Sequence, residues 1–229
     1  MGRQLQGLLY FFTSNLRYSL IIFWTILMSI LVVTLTISYF LLNVDGAFMA
    51  FSLTGAMYVY CGIVGFITVK DMIPFSIKVG ATRKNLYAGL ALFFLLLSFF
   101  KAVAGTVIQE LVNGMNGVFG LNNFEFLHLA VFIENNWYTR VMIDTAIMFF
   151  FFTLMFLLGL LFYRFGLAGA GSVLGILLVG LLFSIAKGWA WDFMVEVAEN
   201  FDMMFFVQLT IISIILYVIS FFLVRRITI

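Results

Sequence analysis

Cysteine, histidine, proline and charged residues are all scarce in this chain. Its 229 residues include one cysteine (Cys61), one histidine (His128) and one proline (Pro74). A single cysteine excludes an intramolecular disulfide and a cysteine metal site, and a single histidine excludes a multi-histidine metal centre. One proline and the lack of serine- or glycine-rich tracts argue against flexible linkers and disordered tails.

Hydrophobic residues are abundant in the chain and charged residues are rare. Charged residues make up 10% of it, hydrophobic residues make up 65%, and phenylalanine alone occupies 30 positions. A soluble domain averages about 25% charged and about 45–50% apolar residues. A chain this apolar cannot form a water-facing surface. The sequence therefore predicts an all-α integral membrane protein, with residues 1–229 forming a single transmembrane domain.

Six apolar runs are long enough to span a bilayer, because roughly 20 residues cross the hydrocarbon core. The predicted spans cover residues 19–42, 48–69, 86–107, 139–163, 167–186 and 203–224. Before them, residues 1–17 carry apolar side chains at helical spacing, which predicts an interfacial amphipathic helix on the inner leaflet. The first span is longer than a signal-peptide core, and no small-residue cleavage site follows it.

Basic residues divide unequally between the two faces of these spans. With the N-terminus inside, Lys101, Arg140 and Lys187 are the basic residues of the outer half, and Asp71 is the one acidic residue inside. The other basic residues fall inside: Arg3, Arg17, Lys70, Lys78, Arg83, Lys84, Arg164, Arg225 and Arg226. This positive-inside bias predicts that both termini face the cytoplasm.

The predicted inner loop, residues 70–85, is polar and basic. Pro74 is predicted at a first helical position, where its missing N–H is tolerated. Gly80 is predicted as a helix C-cap, and Thr82 as the N-cap of the next helix. Residues 74–79 are therefore expected to form a mini-helix of one or two turns that lies across the mouth of two spans.

Catalytic motifs are absent from the sequence. It contains no HExxH, no serine elbow and no glycine-rich phosphate loop. We therefore expect no enzymatic activity in this chain and no cofactor bound by it. Any ATP hydrolysis would come from a partner.

The segment PFSIKVGATRKNLYAGL resembles the coupling region of permease subunits of ABC transporters of the type-two exporter class. There, a leucine or valine followed by Gly-x-Ser/Thr-Arg precedes an aromatic residue and a further glycine. The matching residues are Val79, Gly80, Thr82, Arg83, Tyr87 and Gly89. The connection over residues 108–138 is longer than that class leads us to expect.

The resemblance implies a permease subunit that couples ATP hydrolysis by a separate subunit to export of an amphipathic or hydrophobic substrate, such as a peptide, lipid or drug-like molecule. The implied partners are two copies of an ABC ATPase subunit, which would bind ATP and Mg²⁺, a second identical or related permease subunit, and membrane lipid. Nucleic acid is not an expected partner, and a bacterial plasma membrane is the expected location. The residues implied in docking the ATPase are Pro74, Phe75, Ser76, Ile77, Lys78, Val79, Gly80, Thr82 and Arg83.

Two alternatives to this interpretation stay open at the level of sequence. A basic inner loop also follows from topology alone, because positive charge holds a loop inside. The chain could then be a self-contained six-span secondary transporter or a non-catalytic membrane protein such as an immunity protein.

Lys101 and Asp144 are the charges predicted within the membrane. Their depths in adjacent spans are similar, so we expect them to pair, since an unpaired charge there is costly. In the alternative, Lys101 extends towards Glu110 and Asp144 pairs with Arg140.

Two further patterns are candidates for packing or binding. Gly171 and Gly175 form a GxxxG pair, which predicts close helix packing inside the bundle or, alternatively, a subunit contact. Residues 187–202 are amphipathic, which predicts an outer interfacial helix. Their acidic face, with Asp192, Glu196 and Glu199, could alternatively pass a cationic amphipathic cargo.

Overall fold

The computed structural model describes residues 2–44, 46–120, 123–199 and 201–225. Arg226, one of the basic residues predicted inside, lies outside these ranges. The helices are α1 (Gly2–Phe40), α2 (Leu53–Lys78), α3 (Arg83–Phe119), α4 (Trp137–Ala186), α5 (Trp189–Glu199) and α6 (Met203–Arg225). Between them lie two short strands, β1 (Met49–Phe51) and β2 (Phe124–Phe126), and a 3₁₀ helix, Leu129–Phe132.

Five helices of the described ranges, α1, α2, α3, α4 and α6, are long and apolar enough to cross a membrane. The chain is thus an α-helical, multi-pass membrane protein, as its composition predicts. The two strands are the departure from an all-α fold. They pair in parallel, with Met49 opposite Phe124 and Phe51 opposite Phe126. β1 occupies the first residues of the predicted second span, so α2 begins later than expected.

Helix α1 is continuous over 39 residues. No break therefore separates residues 2–17 from the span predicted to start at residue 19, and the interfacial position of the first half stays a prediction. Neither glycine nor proline occurs between residues 8 and 40, so nothing in the backbone favours a break. The apolar face of the first half, with Leu8, Phe12 and Leu16, is buried against the bundle, so protein covers it.

Helix α3 is also longer than its predicted span, with 37 residues. Residues 108–119 continue it, so the first part of the predicted 108–138 loop is helical. The helix ends at Gly120, whose positive φ of 67° gives the left-handed cap that favours glycine. α1 and α3 run side by side in the same direction. Gln4 reaches Asn85 near one end, and Leu31 packs with Val112 towards the other.

Helix α4 contains 50 residues and is interrupted at Gly166, where φ is 67° and ψ is −166°. Before this break, α4 packs against α2, α3 and α6. After it, residues 167–186 are largely exposed, and Ala170 is the buried residue among them. α6 runs in the same direction as the first part of α4, because Phe206 packs near Ile143 and Tyr217 near Phe156.

The two ends of the bundle differ in charge. We call one the basic end, where the starts of α1 and α3 meet the ends of α2 and α6. Its basic residues include Arg3, Lys70, Lys78, Arg83, Lys84 and Arg225, and the acidic Asp71 lies next to Lys70. The opposite, acidic end contains the starts of α2, α4 and α6, the strand pair and α5. Its acidic residues are Glu110, Glu125, Glu134, Asp192, Glu196 and Asp202.

Close helix packing occurs at glycines other than the predicted pair. A Cβ at Gly65 of α2 would lie 2.6 Å from the backbone oxygen of Phe152 in α4. A Cβ at Gly171 or Gly175 would have nothing within 4 Å. The predicted packing of this pair inside the bundle is therefore wrong, because both glycines lie on the exposed part of α4 after the break. Their use as a subunit contact stays a prediction.

We expect Gly65→Ala to lower the free energy of unfolding by about 1–3 kcal/mol, because the added methyl group overpacks the α2–α4 contact. Gly114→Ala, within α3, is the matched control, because a Cβ at Gly114 would have nothing within 4 Å. It adds the same methyl group to a helix in open space and should be neutral or stabilising by up to about 1 kcal/mol. Denaturant unfolding of both variants in mixed micelles measures the difference, and equal effects would contradict the α2–α4 packing.

Candidate functional site

The residues predicted to dock the ATPase begin at Pro74 near the end of α2 and continue through the following turn to Arg83, the first residue of α3. Pro74 lies inside α2, which is continuous from Leu53 to Lys78, so the predicted separate mini-helix over residues 74–79 is wrong. Met72 and Ile73 are buried in the core, and this packing keeps the chain helical through the proline. Pro74 cannot donate to the Lys70 carbonyl, but Lys70 is exposed at the basic end.

Gly80 and Thr82 lie at the two helix ends of the turn after α2. Gly80 takes a positive φ of 92°. Its N–H donates to the Ile77 carbonyl at 3.0 Å, and the Ala81 N–H donates to the Ser76 carbonyl at 2.9 Å. This is the Schellman arrangement, which ends a helix at glycine. Thr82 is the N-cap of α3, and its hydroxyl accepts from the Asn85 N–H at 3.4 Å. The Thr82 prediction is confirmed, and Gly80 ends α2 as the residue directly after the C-cap, which is Val79.

Side chains of α1 and α3 hold the α2–α3 turn, which we define as residues 75–82. The Gln4 amide of α1 donates to the Gly80 carbonyl at 3.2 Å and accepts from the Asn85 amide. The Arg83 guanidinium donates to the Arg225 carbonyl at the end of α6, where the helix dipole is negative. Arg83 therefore joins α3 to α6. Sequence reasoning missed Gln4 and Asn85 because no local pattern links them to Gly80.

The surface of the α2–α3 turn combines exposed apolar and basic side chains. Phe75 is 50% exposed and Val79 is 70% exposed, and Lys78 projects beside them. Phe75 stacks on Phe11 of α1, with ring centroids 4.6 Å apart.

A cavity of about 270 Å³ opens between α1 and α2 at this surface. Phe75, Val79 and Gln4 line it, together with Ser76. The Ser76 hydroxyl is buried and has no hydrogen-bond partner within the described part of the chain. The remaining predicted docking residues, Pro74 and Ile77, are half-buried.

Lys101 and Asp144 do not pair, so that prediction is wrong. The Lys101 ammonium lies over two aromatic rings, 3.7 Å from the Tyr60 centroid and 4.1 Å from the Phe23 centroid. It has no hydrogen-bond partner among the described residues. Aromatic faces attract a cation through their quadrupole, and they take the place of the expected carboxylate.

Asp144 has partners on two other elements. The Tyr58 hydroxyl of α2 donates to Asp144 Oδ1 at 2.5 Å, and His128 Nε2 lies 3.2 Å from the same oxygen. That second approach falls outside hydrogen-bonding angles, so Nε2 and Asp144 Oδ2 both lack a hydrogen-bond partner within the described ranges. Side chains two residues apart on a helix point in directions that differ by about 200°. Tyr58 contacts Asp144 and Tyr60 contacts Lys101. Asp144 and Lys101 therefore lie on different sides of α2.

Arg140 and Glu110 also differ from the alternative interpretation. They bond to each other, with Arg140 Nη1 donating to Glu110 Oε1 at 2.7 Å. Arg140 Nε also donates to the Asn135 side chain at 2.6 Å. Asp144 therefore does not pair with Arg140, and Lys101 does not reach Glu110.

Known proteins give no guide to this arrangement, because the chain matches no family model, no curated protein and no solved structure. Within the described residues, no group of three or more His, Cys, Asp or Glu side chains could hold a metal ion. Cys61 is a buried free thiol. The candidate functional site is the α2–α3 turn, where exposed apolar and basic side chains lie together.

A double-mutant cycle tests the side-chain partners of Asp144. Tyr58→Phe and Asp144→Asn remove one shared hydrogen bond, so we expect a coupling of about 0.5–3 kcal/mol in the free energy of unfolding. Lys101→Met and Asp144→Asn act on opposite sides of α2 and should add within about 0.5 kcal/mol. Stronger coupling in the Lys101 cycle than in the Tyr58 cycle would contradict the arrangement.

Proposed function

We propose that this chain is the permease subunit of an ATP-driven exporter of the type-two ABC class. The observation that carries the proposal is the α2–α3 turn, where exposed Phe75 and Val79 stand among basic side chains at one end of the bundle. An apolar centre with a charged rim is the usual composition of a protein interface. An ATPase subunit with an apolar groove and acidic edges is the partner that fits it.

Contacts around the turn support a coupling role. Gln4 links it to α1, Thr82 starts α3 within it, and Arg83 links α3 to α6. A displacement of the turn is therefore transmitted to four helices. In the proposed mechanism, closure of the ATPase subunits pushes on the turn, and the bundle passes the motion to the substrate pathway. ATP and Mg²⁺ are bound by the ATPase subunits, and the present chain binds neither.

We further propose that the chain crosses the membrane six times, with both termini in the cytoplasm. The break at Gly166 divides α4 into two parts, and the second part, residues 167–186, is long enough to return across a bilayer. Such a return is supported by α6, which starts at the same end as the first part of α4. The basic end would face the cytoplasm by the positive-inside rule.

The proposed complete exporter contains a second permease subunit, identical or related, and two ATPase subunits in a bacterial plasma membrane. Residues 167–186 leave a largely exposed helix surface that includes Gly171 and Gly175. Small residues permit close approach of two helices in lipid, so this surface suits the contact with the second permease subunit. The substrate is amphipathic or hydrophobic.

The test is co-purification of an ATPase with the tagged chain from its native membrane. Val79→Glu places a carboxylate in the apolar centre of the turn and should reduce ATPase recovery about tenfold or more, because an unpaired charge in an interface costs over about 1.4 kcal/mol. Val79 is largely exposed, so the unfolding midpoint of this variant should match that of the native chain.

Leu111→Glu is the matched control, since Leu111 is 63% exposed on α3 near the acidic end. This variant should retain the ATPase. Arg83→Glu is less suitable, because it also breaks the bond to Arg225. If the native chain co-purifies with no ATPase, the proposal is wrong, and a self-contained transporter or non-catalytic membrane protein becomes the better interpretation.

A further inference from the structure

The acidic end contains two adjoining cavities that the docking function does not use. One has a volume of about 380 Å³ and lies between the start of α2, β2 and the 3₁₀ helix. The other has a volume of about 600 Å³ and lies between the 3₁₀ helix, α5 and the start of α6. Leu129 and Phe132 line both cavities, so the 3₁₀ helix forms their common wall. Each volume is in the range of about 300–1,000 Å³ that small-molecule sites occupy.

The first cavity is the polar one, and its charge is negative. Glu125, Tyr58 and His128 line it, and Glu125 forms no ion pair with any described residue. Asp144 lies directly behind Tyr58 and His128, which both approach its Oδ1. Asp144 is fully buried, and no lysine or arginine of the described ranges pairs with it. Two carboxyl groups therefore act on this cavity without a compensating cation.

His128 does not supply that cation. Its Nδ1 accepts a hydrogen bond from the Ala130 N–H at 2.9 Å, so Nδ1 carries no proton and the ring is neutral. The His128 side chain is 2% exposed, and the hydrogen bond to Ala130 fixes its ring against the cavity. Its Nε2 and Asp144 Oδ2 are the buried polar atoms without hydrogen-bond partners at this place. The cavity wall therefore holds an unpartnered Nε2–H donor of His128, with an unpartnered carboxylate oxygen of Asp144 behind it.

The second cavity is apolar and aromatic. Its lining includes Phe132, Phe193, Met194 and Phe205. Methionine side chains adapt to irregular apolar ligands, and aromatic rings offer large contact areas. No lysine or arginine is among the described residues that line either cavity. The pair of cavities therefore suits a molecule with an apolar part and one positive charge.

We propose that these two cavities form one binding site for an amphipathic cation. The ammonium or guanidinium group of the ligand lies in the first cavity, beside Glu125 and the rings of Tyr58 and Phe126, where carboxylate and cation–π attraction act together. The apolar part passes the common wall at Phe132 and fills the second cavity. Binding at this site is independent of how the chain is driven. Its role as an exit site for the exported substrate depends on the export function proposed above.

Photolabelling of the purified chain in lipid nanodiscs tests the site. The probes are a twelve-carbon alkylamine with a diazirine in the chain, and the alcohol of the same length with the same diazirine. Mass spectrometry of the labelled peptides locates the binding. We expect the amine to label the segments around residues 125–132 and 193–205 at least fivefold more than the alcohol does.

Matched variants separate the contributions of charge and shape. Glu125→Gln should reduce labelling by the amine about fivefold and leave labelling by the alcohol unchanged. Glu134→Gln is the control, because Glu134 is an acidic-end residue that bonds Asn136 and lines neither cavity. Phe132→Ala removes the common wall and should reduce labelling by both probes.

Equal labelling by amine and alcohol, or labelling spread evenly over the lipid-facing helices, would overturn the proposal. An unchanged amine signal in Glu125→Gln would overturn it as well. These measurements need no ATPase, so their outcome is separate from that of the co-purification experiment. A chain that retains its ATPase and fails to select the amine would keep the exporter proposal and lose this site.

Discussion

The fold depends on one constraint, the need to satisfy every backbone hydrogen bond without water in the hydrocarbon core. Helix ends are accordingly found at the two ends of the bundle. Ser52, Thr82 and His128 accept from backbone N–H groups there, and Gly80 and Gly120 end their helices in the left-handed conformation. Two residues inside helices disturb the backbone hydrogen bonds, Pro74 in α2 and Gly166 in α4, and both lie towards the basic end.

Local signals in the sequence were sufficient to predict an α-helical membrane protein, the limits of α6, and the helix ends at Gly80 and Thr82. These features depend on neighbouring residues, because a glycine or threonine acts on its own turn of helix. The continuity of α1, the length of α3 and the helical position of Pro74 depend on packing instead. Buried Phe12 and Ile73 hold their segments helical, and local propensity does not report which apolar face will be covered.

The side-chain partners at the sites were least predictable. Depth along a helix could be estimated from the sequence, and Lys101 and Asp144 do belong to the bundle interior. The direction in which each side chain points around its helix could not be estimated, and α2 separates Lys101 from Asp144. The contact between Gln4 and Gly80 joins residues far apart in the chain and has no sequence pattern. Gly65 packs closely because Phe152 happens to face it, whereas the GxxxG motif lies on an exposed surface.

The great length of α1 and α3 has a mechanical consequence. Each is a continuous rod of about 55 Å or more, and both start beside the turn at the basic end. A tilt of about 10° about that end would sweep the far tips through about 10 Å over such a length. The strand pair and the 3₁₀ helix are attached near those tips. In the proposed coupling role the two rods would act as lever arms, because a small rotation at the basic end would become a large displacement at the acidic end.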